Sequence, residues 1–348
     1  MASRLRVGLD AQLTLGTATG IGEYVRGLAA ALHDAGCTPI SLAEPRLDPW
    51  RFDRRVLWDQ VLLPLAAARA HVDVLHCAAG TLPLVTNVPL VATVHDVAWL
   101  RVQAHTRPYA RAYFGRFALD RYARARTIFV DSHFSRDELL AVAPALDPAR
   151  VEVLYPGVAE DIMRIERAPD EAPFILAVGT VEVRKNLEVL VRALAALPSV
   201  RLISVGPFTP YRDRVLALAR ECGVSQRVEL RGYVSRAELL GLYARAALAA
   251  VPSHYEGFGY SAAQALCAGV PLVAANASSL PEIVGDSAPL VPPGDVAGWV
   301  DELRVRLLNR TNAEFVAGAM RVAACERLGW GAGAGVALLA YRSAAATE

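Results

Sequence analysis

Lysine is almost missing from this 348-residue chain: of 36 basic residues, 35 are arginine, and Lys185 stands alone. The bias says nothing about fold, but it marks Lys185 as a position where a compact ammonium serves and a planar guanidinium does not. Cysteine is sparse as well. Cys37, Cys77, Cys222, Cys267 and Cys325 are scattered without a C-x-x-C pair, which argues against a zinc site or a disulfide framework and for buried thiols. Net charge is only +1, so the chain as a whole is not built for nucleic acid or an acidic polymer. No run of about 18 apolar residues is present, so no spanning helix is expected. No signal-peptide pattern precedes the first strand-like segment, and cytoplasmic residence is expected. The glycines of Gly16 to Gly22 (GTATGIG) do not fit G-x-G-x-x-G, and a dinucleotide reading is weak.

What is plentiful is apolar sequence, 54% of the chain, enough for two buried cores at roughly 150 residues per domain. Short β-branched runs alternate with helical patterns. Strands are expected at Leu5 to Ala11, Val72 to Cys77, Leu90 to His95, Thr127 to Asp131 and Val151 to Leu154. A second set is expected at Phe174 to Val178, Arg201 to Val205, Val228 to Arg231, Leu248 to Val251 and Pro271 to Ala274. Apolar strands alternating with helices imply parallel sheets covered on both faces. Two such sets predict an α/β fold of two Rossmann-like domains, with ligands beyond the C-terminal strand ends, in a cleft between them. The acidic, proline-bearing stretch Ala159 to Pro173 reads as the boundary. The expected domains are residues 1–160 and 170–330, with a last helix at about 331–348 packing back onto the first.

Four loops carry candidate chemistry; in one, Gly16 to Gly22, small residues could close over the cleft or approach an acceptor. Gly179-Thr180-Val181-Glu182-Val183-Arg184-Lys185-Asn186 follows one strand and opens a helix expected near Asn186. A helix start offers free N–H groups, and Arg184 and Lys185 add two cations, a combination suited to a diphosphate. The alternative is a solvated Arg-Lys pair. In Pro252 to Tyr260, two glycines around Phe258 let a backbone approach a ligand closely. There Glu256 can accept from sugar hydroxyls, and Gln264 on the following helix can face the same ligand; a solvated glutamate on a glycine-rich turn is the alternative. His95-Asp96 ends a strand of the first domain and would project into the cleft, unless it is a core histidine paired to its neighbour.

In this order, the pieces resemble the retaining family-4 glycosyltransferases of the GT-B fold, particularly the bacterial mannosyltransferase-like branch. The resemblance rests on Gly8 to Asp10, Thr19 to Tyr24, Val94-His95-Asp96, Val130 to Ser135 and Tyr155 to Val158. It tightens at Val178 to Asn186, Gly232-Tyr233-Val234, Pro252 to Gly259, Ala268 to Pro271 and Ser279 to Asp286. It implies transfer of a sugar from a nucleotide-diphosphate sugar (GDP-, UDP- or TDP-linked) to a hydroxyl acceptor: a glycan, a lipid-linked glycan or a natural product. By the same resemblance Lys185, with Arg184, holds the diphosphate. Glu256 and the Gly257-Phe258-Gly259 backbone hold the sugar hydroxyls. Tyr233 and Val234 border the nucleobase, His95 points at the donor sugar, and Gly22 lies near the diphosphate. Two positions depart from the family pattern. Gln264 stands where a second glutamate binds the ribose, and Thr180 stands where many members carry an arginine just after Gly179. A neutral acceptor is about half as strong as a carboxylate, and Lys185 and Arg184 then bear more of the phosphate charge.

The chain has no D-x-D motif, the usual cation holder of metal-dependent transferases. No cofactor and no metal are expected, and fixed cations stabilise the leaving diphosphate. A non-catalytic nucleotide-sugar-binding homologue and a GT-B sugar-nucleotide epimerase are the alternatives. From Arg101 to Arg126 there are seven arginines against one acid, interleaved with aromatics. That segment could touch an anionic membrane from its cytoplasmic side or a phosphorylated acceptor, or be a solvated arginine face. A second such stretch is Trp50 to Arg69, where Arg51, Arg54 and Arg55 flank Trp58 and Leu62 to Leu65.

Overall fold

The computed structural model describes residues 4–16, 20–102, 109 and 112–346. It divides into two units, Met1–Gly157 with Gly329–Glu348, and Val158–Leu328. The change of unit falls at Gly157, just ahead of the acidic stretch. That stretch lies in the second unit and carries a short helix, Glu160–Met163.

The first unit is built on a six-stranded sheet ordered β2-β1-β3-β4-β5-β6. Its strands are β1 (Arg6–Asp10), β2 (Thr38–Leu42), β3 (Val74–Cys77), β4 (Leu90–Val94), β5 (Thr127–Val130) and β6 (Val151–Val153). All pairings are parallel. Every residue of β3, β4 and β5 is buried, as a parallel sheet with helices on both faces requires. On one face Leu63, Ala67 and Leu82 pack against Leu75, Ala92 and Ile128. On the other, the helix Gly20–Asp34 contributes Tyr24, Leu28 and Leu32. The last helix, Trp330–Ala346, adds Ala337, Ala340 and Tyr341 to that second cluster.

The last helix is also tied in by polar contacts. Tyr341 Oη lies 2.7 Å from His76 Nδ1, His76 Nε2 lies 2.7 Å from Thr93 Oγ1, and Thr93 Oγ1 lies 2.9 Å from Tyr24 Oη. Burial lowers His76 to about 3, so its ring is neutral and each nitrogen has a partner. The run of glycines Gly331 to Gly335 falls inside this helix. Trp330 at its start lies against Gly27 and Gly157, where a Cβ would meet the indole at 2.0 and 2.3 Å.

The second unit repeats the plan with β7 (Phe174–Val178), β8 (Arg201–Val205), β9 (Val228–Leu230), β10 (Leu248–Val251), β11 (Leu272–Ala275) and β12 (Leu290–Val291). The order is β12-β11-β10-β7-β8-β9, again with parallel pairing. The order turns between β10 and β7, whose C-terminal ends lie side by side. That is the switch point at which open α/β sheets bind ligands.

Candidate donor-phosphate site

At this switch point the loops after β7 and β10 meet. The N–H of His254 donates to the Arg184 carbonyl at 2.7 Å, and Asn186 Nδ2 donates to the carbonyls of Pro252 (3.1 Å) and Pro293 (2.8 Å). Those two bonds hold Asn186 at φ 52°, a left-handed conformation that asparagine tolerates better than most residues. The helix therefore starts at Leu187 and runs to Leu194, after a tight 3₁₀ turn, Val183–Lys185, rather than directly at Asn186.

Lys185 lies across the backbone of Gly179, where a Cβ would stand 3.1 Å from its Cε and 3.3 Å from its Nζ. Gly179 itself has φ +136°, so both space and conformation call for glycine there. Gly206, at the end of β8, passes so close that a Cβ on it would meet the Gly179 carbonyl oxygen at 2.1 Å.

Glu256 is the electrostatic hub. One carboxylate oxygen accepts from Lys185 Nζ at 2.5 Å and from Ser253 Oγ at 2.6 Å; the other accepts from Arg184 at 2.9 Å. Its main chain is also held: its N–H donates to Ser278 Oγ at 2.9 Å, and its carbonyl accepts from Ser279 Oγ at 3.0 Å. Arg184 further pairs with Glu182 at 2.8 Å. Burial alone would raise the Glu256 pKa, but the charges of Lys185 and Arg184 and the hydrogen bonds outweigh it and hold the group at about 2. The pairing therefore stabilises the fold fully above about pH 4.5 and is lost as pH falls toward 2. Each cation already has a carboxylate partner.

The remaining residues of this unit surround that hub. Gly257, Phe258 and Gly259 are buried in the loop that opens the helix Tyr260–Cys267, and Gly259 has φ +95°. Gln264 is buried on that helix, its Oε1 accepting from Tyr243 Oη at 3.1 Å. Thr180 is half-buried beside Lys185, both lining one recess with Gly179 and Ser253. Tyr233 (exposed) and Val234 (half-buried) follow β9. The Gly232 carbonyl accepts from the Gly206 N–H at 2.8 Å, which ties this loop to the switch point, and the Phe208 ring lies against Gly232. The sequence reading missed Ser253, Ser278 and Phe208. Their only signal was proximity to strand ends, which serines and aromatics elsewhere in the chain share.

In the first unit, Gly22 is buried in the first turn of Gly20–Asp34; Thr17, Ala18 and Thr19 lie outside the described residues. His95 is not paired with its neighbour Asp96, whose carboxylate accepts from the Ala98 N–H at 3.0 Å. Instead His95 Nδ1 lies 2.7 Å from Asp131 Oδ2, and Nε2 lies 2.9 Å from the Ala78 carbonyl. A carbonyl only accepts, so Nε2 carries a proton; Nδ1 facing a carboxylate carries another. Burial opposes that charge, but Asp131 and the Ala78 bond win, and the His95 pKa lies above 6.5. Such a histidine stabilises the fold fully below pH 6.5 and loses that contribution as pH rises through its folded value. Asp131→Asn removes the strongest group that opposes burial and leaves the Ala78 bond and Asp96: the imidazole pKa should fall from its raised value in NMR, and the fall in urea midpoint above pH 6.5 should flatten. An unmoved titration would show that Asp131 does not set the charge.

Of the arginine-rich segment Arg101–Arg126, residues 103–108, 110 and 111 lie outside the described residues. Arg101 pairs with Glu138 at 2.7 Å. In the stretch Trp50 to Arg69, Arg55 and Trp58 correct the sequence reading: both are buried and bond to Asp10 at 2.8 Å, so neither faces a membrane. Among the described residues, no group of three His, Cys, Asp or Glu side chains could hold a metal ion, and no helix is long and apolar enough to cross a membrane.

Comparison with known proteins matches residues 158–317 to the family model "Glycosyl transferases group 1" and residues 18–161 to "Glycosyltransferase Family 4". A D-inositol 3-phosphate glycosyltransferase of Xylanimonas cellulosilytica is 35% identical over 282 residues, 74% of this chain and 67% of that protein. The chain belongs to the family-4 glycosyltransferases. The protein of the same name from Mycolicibacterium smegmatis is 32% identical over 256 residues, 66% of this family member, which spans 58% of that relative's length. Among solved structures, sucrose-phosphate synthase of Thermosynechococcus elongatus matches with a TM-score of 0.77 at 21% identity, covering 99% of this chain and 100% of that one. Anabaena HepE in complex with UDP and glucose matches at 0.74 and 17% identity, covering 98% and 100%. The fold is GT-B.

Proposed function

We propose that this family-4 member is a retaining, metal-independent glycosyltransferase that moves a sugar from a nucleoside-diphosphate sugar to a hydroxyl acceptor. The observation that carries the reading is Lys185, seated on the Gly179 backbone at the strand switch point and braced by Glu256. As the glycosidic bond breaks, charge accumulates on the departing diphosphate. Lys185 and Arg184 are fixed cations that stabilise that charge without rearrangement. Glu256 orients these cations and the donor sugar and makes no covalent bond to it. The acceptor hydroxyl attacks from the face the leaving group vacates, so the anomeric configuration is kept. In this reading His95, a donor at both nitrogens, does not act as a base.

The curated relatives are named for D-inositol 3-phosphate, which favours a small polyol acceptor over a polymer. HepE has been solved with UDP and with UDP-glucose, which puts uridine donors first among the candidates. Contact with an anionic membrane belongs to the same proposal on the acceptor side.

A thermal-shift panel of UDP, GDP, TDP and their sugars, run in EDTA, tests this. A ligand of the native state at 100 times its Kd adds about 2.7 kcal/mol, a rise of several degrees. A rise for one nucleotide, absent in Lys185→Ala, is expected. No rise for any of them, or transfer that EDTA abolishes and a divalent cation restores, overturns the reading.

A further inference from the structure

The outer surface of one helical layer in the first unit is apolar where a solvent-facing helix is ordinarily polar. The helices Phe52–Leu57 and Leu63–Arg69 are joined by a wider π turn, Trp58–Leu62, into a single rod. Trp58, Leu63 and Ala67 face the core. On the opposite side, at four-residue spacing, Leu57, Val61 and Leu65 are exposed by 36%, 45% and 46%.

This stripe does not stand alone. The Gln60 side chain accepts from the Leu84 N–H at 2.9 Å, donates to the Leu82 carbonyl at 3.2 Å, and bonds Tyr113 Oη at 2.9 Å. It thereby holds the rod, the loop after β3 and the segment leading into the helix Phe117–Tyr122 side by side. That loop exposes Leu84 and Val85, and that helix exposes Phe117. Arg121 lies over the Phe117 ring, and Arg124 donates to the Pro83 and Leu84 carbonyls at 2.7 and 2.6 Å. These three linked elements together expose six aliphatic and aromatic tips.

The rim is cationic. Arg54 and Arg69 stand a helical turn beyond the two ends of the stripe, and the segment that exposes Phe117 carries Arg116, Arg121 and Arg124. Among the described residues of these elements the acids facing solvent are Asp53, already paired with Arg51 and Arg54, and Asp120. Exposed apolar tips beside long cationic side chains suit an acyl boundary under a layer of phosphate. A protein partner would have to bring its own excess of carboxylates to these arginines. An anionic bilayer supplies charge and apolar depth together.

We propose that this face docks the protein onto an anionic phospholipid bilayer. It gives the membrane contact a location that differs from the arginine segment alone, because the apolar anchors come from the rod and the Leu84 loop. The donor-phosphate residues lie in the other unit, so docking and sugar transfer can fail separately.

The test is co-sedimentation of the full chain with phosphatidylglycerol–phosphatidylcholine vesicles and with phosphatidylcholine alone, at low and high salt. Binding to the anionic vesicles, weakened by salt, is expected. Val61→Glu with Leu84→Glu should reduce it roughly tenfold or more. Arg54→Gln with Arg69→Gln should reduce it about fivefold for each arginine. Both pairs are at exposed positions, so melting temperature and turnover of a soluble acceptor should stay at wild-type values. No sedimentation at low salt overturns the proposal, as does equal binding by the Val61/Leu84 variant. So does a wild-type dimer in light scattering that this variant converts to monomer without any vesicle binding, which would assign the face to a second copy of the chain.

Discussion

Lys185→Ala is expected to lower turnover by about 10²–10³, the usual loss for one group that stabilises developing charge in a transition state. The size follows from what the ammonium does. Its charge is fixed by Glu256 at 2.5 Å and by contact with Gly179 before any substrate arrives, so none of its effect is spent on reorganisation during bond breaking. Because the diphosphate gains charge as it leaves, kcat should fall more than KM rises. Lys185→Arg should not restore activity: a planar guanidinium is wider than the ammonium that fits over Gly179, and Arg184 already occupies the other Glu256 oxygen. In the wild type Glu256 stays ionised down to about pH 2 because Lys185 and Arg184 face it; with the ammonium gone, less charge opposes burial and the carboxylate's pKa should rise in Lys185→Ala. Single-turnover kinetics with a soluble acceptor read the fall in kcat directly, and a Lys185→Ala enzyme with undiminished kcat removes the assigned role.

The second large effect is on stability. Arg55 is 4% exposed and lies 2.8 Å from carboxylate oxygens of both Asp10 and Asp59. Asp10 also accepts from the Trp58 indole at 2.8 Å, and Asp59 from Thr81 at 2.8 Å and Tyr113 at 3.1 Å. One guanidinium therefore serves two buried carboxylates at the C-terminal end of β1. Arg55→Leu keeps much of the volume but leaves both without a counter-ion, a change that costs about 3–5 kcal/mol.

The pH dependence gives the prediction its sign. Burial raises Asp59 to about 6 even with Arg55 present. Without Arg55 the folded state holds its protons more tightly than the unfolded chain, so stability must fall as pH rises. Urea midpoints should therefore separate wild type from Arg55→Leu more at pH 8 than at pH 5. A loss under about 1 kcal/mol at pH 8 would mean the carboxylates find other partners.

Ten of the twelve strands among the described residues were legible, eight of them interior parallel strands that read as apolar runs, as in Leu90–Val94 and Phe174–Val178. The two that were missed, β2 and β12, are edge strands. Thr38–Leu42 is half-buried and contains Pro39, and Leu290–Val291 has two residues; neither length nor composition separates such segments from loops. The helix Trp330–Ala346 was legible as a helix, but its glycines make sense only where Trp330 packs on Gly27 and Gly157.

The chain's own order of residues determined the alternation of strands and helices, the two parallel sheets, and the strand-end loops that hold Lys185 and Glu256. Those features follow from local periodicity and turn chemistry, which neighbouring residues specify among themselves. Tertiary structure alone decided the partnerships: Glu256 bridging Lys185 and Arg184, His95 meeting Asp131 instead of Asp96, and Arg55 and Trp58 turning inward to Asp10. Each joins residues 36 to 72 positions apart. Whether a charge so placed ends up buried depends on the three-dimensional packing that brings its counter-charge within reach.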